Sequence, residues 1–178
     1  MAKPFVKWAG GKGKLLDILE ANLPHDMNTQ QSITYIEPFV GGGAMLFNML
    51  ATHSNVRRAI INDINPALIN CYNNIKDKPH QLIRELRRLD KAFYALECHE
   101  QRRNLYYAYR DEYNCIPVNA RNTIRSAALF IFFNKTCCIN CILWNKCCCG
   151  KCNCCEKCSK FCACFCSCFC CFGKASGV

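Results

Sequence analysis

Two short stretches hold residue types that could do chemistry together. Gly41, Gly42 and Gly43, in "YIEPFVGGGAMLF", stand between a segment that reads as a strand and one that reads as a helix. Three glycines there let a ligand approach the backbone without meeting Cβ atoms. The helix opening from them offers free N–H groups and a partial positive charge. Asp63, in "VRRAIINDIN", follows Gly43 by twenty residues and closes the next strand-like run. A doubly wound nucleotide fold places an acid there to accept hydrogen bonds from two ribose hydroxyls. Taken singly, the glycines read equally well as a tight βα turn, and Asp63 as a turn residue or helix cap. The spacing is not G-x-G-x-x-G. Taken as a pair, the two features favour an adenosine-type cofactor.

A second stretch, "VKWAGGKGKLLDILEANLP" (6–24), sets glycines beside lysines ahead of an amphipathic run. A P-loop needs Gly, four residues, then Gly-Lys-Ser/Thr. Gly13-Lys14 would need a glycine where Trp8 stands and a hydroxyl where Leu15 stands; Gly11-Lys12 would need a glycine at Val6. Both registers fail, so a nucleoside triphosphate is not the anion such a loop would hold. The plain alternative is a Gly-Gly turn followed by a helix with solvated lysines.

The elements that must position these residues follow from their patterns. "SITYIEPF" (32–39) alternates and is β-branched, which predicts a buried strand. Residues 40–43 form a loop, 44–51 a helix, and 56–65 a second strand. Asn65 reads as a helix N-cap with Pro66 at the first helical position. Strand, glycine loop, helix, strand and acid make one βαβ unit, the nucleus of an α/β doubly wound sheet. From Pro79 to Asn114 the pattern is helical, with Leu82, Ile83, Leu86 and Leu89 as one apolar stripe and Arg84, Arg87, Arg88 and Lys91 off it. Residues 119–136 read as a further helix, buried from Ala127 to Phe133.

Four stretches in this order, "FVKWAGGKGKLL", "YIEPFVGGGAMLF", "NDINPALINCYNNIK" and "AALFIFFNKTC", resemble the DNA adenine-N6 methyltransferases of the Dam type over roughly residues 1–137. The resemblance implies a Rossmann-like methyltransferase sheet that binds S-adenosylmethionine, with an inserted helical target-recognition region. It implies double-stranded DNA as partner, adenine flipped from the duplex, and GATC as the common recognition site. By the family pattern Trp8 and Lys12 belong at the cofactor, whose carboxylate becomes the anion of the Gly/Lys stretch. Asp63 belongs on the ribose, and Glu37, Pro38, Phe39, Gly41, Gly42 and Gly43 line the cofactor cleft. Lys7 matches a position that can contact DNA in family members, and the resemblance leaves room for a cognate restriction endonuclease as a further partner. Trp8 also has an ordinary reading as a core tryptophan, and Lys14 as a solvated helix lysine. The domains expected are a cofactor-binding part at 1–75, a helical target-recognition part at 76–136 and a cysteine-rich tail at 137–178.

The family's chemistry resides in an Asp/Asn-Pro-Pro-Tyr/Phe motif, whose polar groups hold the target amine while the aromatic ring stacks on the base. These 178 residues contain no such motif, so no catalytic residue is named. The expectation is that this literal chain is inactive and that the natural product is longer or differs in its tail. Residues 1–136 hold three cysteines, whereas sixteen lie between Cys137 and Cys171. Pairs such as Cys138/Cys141, Cys149/Cys152 and Cys155/Cys158 have zinc-ligand spacing, but so dense a segment produces it by chance. Disulfides and altered residue identities, such as follow a frame error, are the other readings, and no metal ligand is assigned. "FCACFCSCFCCF" (161–172) reads as a sticky strand. The net charge of +10 favours a polyanion partner. No apolar run reaches membrane-spanning length and no secretory leader is visible, which points to the cytoplasm. A non-catalytic cofactor- or DNA-binding remnant and a cysteine-rich metal-binding protein are the competing functions.

Overall fold

The computed structural model describes residues 3–136, so the cysteine-rich tail, with its zinc spacings and strand-like end, lies outside the described residues. The chain divides into two compact units at Ile69–Asn70. In the first, a 3-10 turn at Lys12–Leu15 leads into α1 (Leu16–Ala21). There follow β1 (Ile33–Glu37), α2 (Ala44–Thr52) and β2 (Val56–Ile61). The two strands pair in parallel, with Ile36 opposite Ile60 and Glu37 opposite Ile61. This is a mixed helix–strand architecture with a small parallel sheet.

Period-2 alternation explains which side of that sheet is covered. Ile33, Tyr35 and Val56 pack on buried Met27, Met45 and Met49, with Leu16, Leu19 and Leu23 closing the cluster. The opposite face, carrying Ile36 and Ile60, is exposed. The second strand ends at Ile61 instead of residue 65, which places Asp63 in the loop beyond it. Asn65 caps α3 (Pro66–Asp77) as its residue type demands: its Oδ1 accepts the N–H groups of Ala67 at 3.0 Å and Leu68 at 3.3 Å.

The second unit is helical. The helical pattern over 79–114 resolves into two helices, α4 (Pro79–Tyr94) and α5 (His99–Cys115). No glycine or proline marks the break. Cys98 is extended, and the Arg102 Nε–H donates to the Leu96 carbonyl at 2.6 Å, satisfying a group freed where α4 ends. The cause is tertiary, because α4 and α5 both pack on α6 (Ile124–Thr136). That helix starts at Ile124 instead of 119, since the Thr123 hydroxyl accepts the Ser126 N–H at 3.1 Å. Ala127, Ala128, Leu129, Ile131 and Phe132 are buried as the apolar run requires. The Phe132 ring meets Phe93 edge-on at 5.3 Å and Tyr109 at 5.7 Å. On α4, Leu82, Leu89 and Phe93 are buried, whereas Ile83 is 43% exposed: the stripe follows 82, 89, 93 and leaves residue 83 outside it. The Asn70 amide donates to the carbonyls of Arg121 at 2.9 Å and Thr123 at 3.0 Å, tying α3 to the entry of α6. Cys71 is buried, which pushes its thiol up to about 12 and makes it a core group. No helix among the described residues is long and apolar enough to cross a membrane.

One ion-pair network fastens the three helices. Arg125 on α6 reaches Glu85 of α4 at 2.7 Å and Glu112 of α5 at 2.6 Å. Hydrogen bonds from Arg88 and Arg125 hold the Glu85 carboxyl below its ordinary value near 4.5, against the opposing effect of burial. A lowered carboxylate pKa contributes stability above the unfolded value and loses it as pH falls through the folded one. Glu85→Gln is therefore expected to destabilise the chain by about 1 kcal/mol at neutral pH. The gap between variant and wild type in thermal unfolding should close as pH drops below about 4.

Candidate functional site

The glycine loop is built by turn geometry. The Gly43 N–H donates to the Val40 carbonyl at 2.8 Å, closing a turn whose central residues are Gly41 and Gly42. Gly41 has φ +50° and Gly43 φ +79°, conformations that L side chains rarely adopt. Space adds a second demand: a Cβ at Gly41 would sit 3.0 Å from the Trp8 ring, and one at Gly42 3.4 Å from the Val6 carbonyl. Trp8 is thus laid against the glycine loop, half-buried. Its own turn is closed by the Gly11 N–H donating to the Trp8 carbonyl at 3.2 Å, with Gly10 at φ +71°.

Between these two loops lies a cleft of about 480 Å³, within the range of small-molecule sites. It is lined by Trp8, Lys12, Glu37, Phe39, Gly41, Gly42, Gly43 and Asp63, so eight of the residues singled out in the sequence share one cavity. Pro38 and Lys7 are exposed and do not line it. The start of α2 opens on the cleft through Gly43 and Ala44.

The charged groups are held by short-range partners. Glu37 is 4% exposed; its Oε1 accepts from Lys12 Nζ at 3.1 Å and its Oε2 from the Tyr35 hydroxyl at 3.0 Å. Burial and the neighbouring carboxylate push the Tyr35 hydroxyl above its ordinary value, which keeps it a donor. Asp63 Oδ2 accepts the Gly41 N–H and Oδ1 the Asn65 N–H, each at 2.9 Å. A carboxylate oxygen has two lone pairs, so each oxygen retains capacity for a further donor. Tyr35 escaped the sequence reading. Its signal was the strand period, which puts residues 35 and 37 on one face. Among the described residues no group of three or more His, Cys, Asp or Glu is arranged for a metal ion.

Residues 8–147 match the profile of the D12 class N6 adenine-specific DNA methyltransferases. The chain is 44% identical over 135 residues to "Type II methyltransferase M.MjaIII" of Methanocaldococcus jannaschii, covering 76% of this chain and 46% of that protein. It is 32% identical over 133 residues to "DNA adenine methylase" of Escherichia coli K12, covering 75% of this chain and 40% of that protein. Over 81 residues it is 43% identical to "Type II methyltransferase M1.LlaDCHI" of Lactococcus lactis subsp. cremoris, covering 46% of this chain and 25% of that protein. The chain belongs to the D12 class N6 adenine-specific DNA methyltransferase family. It spans less than half the length of the curated relatives it matches.

The packing of Trp8 on Gly41 sets a prediction. Gly41→Ala meets both the positive φ and the 3.0 Å contact. It is expected to destabilise the first unit by about 1–3 kcal/mol, read by urea unfolding. Gly13→Ala, where a Cβ meets nothing within 4 Å, should leave the unfolding midpoint unchanged.

Proposed function

We propose that the cleft binds S-adenosylmethionine and that the chain is the cofactor-binding and target-recognition part of a site-specific DNA adenine-N6 methyltransferase. The observation that carries this reading is the buried Glu37 carboxylate beside Lys12, in a cleft bounded by a glycine loop and a helix N-terminus. An amino-acid headgroup carries an ammonium and a carboxylate, the complement of that pair. Glu37 would accept the ammonium, and Lys12 would face the carboxylate, aided by the partial positive charge at the start of α2. The lone pairs left on Asp63 suit two ribose hydroxyls, and Trp8 and Phe39 supply apolar walls. When bound, the group supplies an electrophilic methyl carbon. The chain's own residues bind and orient it; they hold no group assigned to the target amine.

In this reading β1 and β2 belong to a Rossmann-like sheet formed with further strands, residues 1–75 are its cofactor-binding part, and residues 76–136 are an inserted target-recognition region. Double-stranded DNA is the substrate, GATC the recognition site to test first, and Lys7 a DNA contact. The reading extends to a cytoplasmic protein, and to a cognate restriction endonuclease, because two relatives are named type II methyltransferases. The Asp/Asn-Pro-Pro-Tyr/Phe motif is absent from these 178 residues, so the polypeptide is read as binding without transferring.

Titration calorimetry with S-adenosylmethionine tests the site. Lys12→Ala is expected to weaken binding by about 1–3 kcal/mol, the worth of a hydrogen bond to a charged group. Affinity unchanged in that variant would remove Lys12 from the site. Tritiated methyl transfer to unmethylated duplex DNA, followed by nucleoside separation, tests the reaction. A protein that carries both this region and the missing motif should yield N6-methyladenine, and the 178-residue chain none. Methylcytosine as product would overturn the assignment.

A further inference from the structure

Helix α4 carries a cationic stripe that the cofactor site leaves unused. At 100° per residue, Arg84, Arg87, Arg88 and Lys91 fall within an arc of about 100°. The centre of that arc lies opposite the buried Leu82, Leu89 and Phe93, so the stripe points away from the helical core. Arg84, Arg87 and Lys91 are exposed, and among the described residues no hydrogen bond or ion pair engages their side chains. Arg88 differs: it is bonded to Glu85 at 2.9 Å. Of the two acids on α4, Glu85 is committed to Arg88 and Arg125, and exposed Asp90 pairs with none of the stripe's cations, so three positive side chains face a single carboxylate.

We propose that Arg84, Arg87 and Lys91 of α4 contact the backbone phosphates of duplex DNA. The partner follows from charge complementarity, and its identity as DNA rests on the methyltransferase reading above. Seven residues of helix advance about 10 Å, and a duplex carries one charge per about 3.4 Å of its axis on each strand, so side chains spread along that length face more than one phosphate. Long, exposed cations at that spacing can meet successive phosphates without reading bases, positioning the duplex without specifying sequence.

Counterion release gives a direct readout. Each phosphate contact contributes about 0.9 to the slope of log affinity against log salt. Binding of the 178-residue chain to a fluorescein-labelled duplex is measured by anisotropy across a salt series. Arg84→Gln/Arg87→Gln should make the slope shallower by about 1.8. Arg57→Gln/Arg58→Gln on β2 removes the same charge and should leave it unchanged. Arg84→Lys/Arg87→Lys should restore the wild-type slope, since lysine keeps the point charge; circular dichroism confirms that every variant is folded. An unaltered slope in the glutamine variant, or an equal loss in the β2 control, overturns the stripe while leaving DNA as partner. Failure of the wild type to bind duplex, with binding to phosphatidylserine vesicles instead, overturns the stripe's assignment to DNA and the DNA partner of the proposed function together.

Discussion

The grip of Asp63 on the glycine loop is the constraint on which the site depends. A parallel neighbour pair brings the C-terminal ends of β1 and β2 to the same edge. Pairing runs past the formal strands, with the Asn62 N–H donating to the Glu37 carbonyl and the Val40 N–H to the Asn62 carbonyl, each at 2.9 Å. That register sets residue 63 beside residue 41. The Gly41 N–H, turned out of the ladder by a positive φ, finds its acceptor there. The bond is part-buried, and a bond to an ionised carboxylate is roughly twice as strong as a neutral one, so the acid holds the turn that the glycines form. The twenty-residue interval holds the crossover helix α2, the loop that follows it and the strand β2.

Charge balance is the second constraint. A carboxylate as buried as Glu37 is costly unless paired and hydrogen-bonded. Lys12 and Tyr35 each occupy one of its oxygens, the first from the opening of the chain and the second from Glu37's own strand. The pairing brings the Gly/Lys stretch, which opens the chain, to the end of β1. It also explains why Trp8 closes over Gly41 and Gly42 instead of entering the Met27, Met45 and Met49 core.

What could be read from sequence was local. The βαβ order, the Asn65 cap, the glycine turn and the burial of α6 each follow from residue type and period over a few positions. What could not be read depends on partners distant in sequence. The break between α4 and α5 has no turn residue and exists because both helices pack on α6. The exposure of Ile83 follows from the choice of buried stripe, which runs through residues 82, 89 and 93. The Lys12–Glu37 pair joins residues twenty-five apart, and Tyr35 reads as an ordinary strand tyrosine until that carboxylate is seen.

The two units use their charges differently. In the first, opposite charges converge on a cleft, where Lys12 pairs with the buried Glu37. In the second, the acids Glu85 and Glu112 turn toward Arg125 and hold three helices together. Using those acids internally has a consequence for the surface. With Glu85 bonded to Arg88 and Arg125, Asp90 is the one acid of α4 left beside the outward cations, and it pairs with none of them. The same ion pairs that fix the helical core therefore leave a positive field on its outer face, and such a field acts on a polyanion before any contact forms.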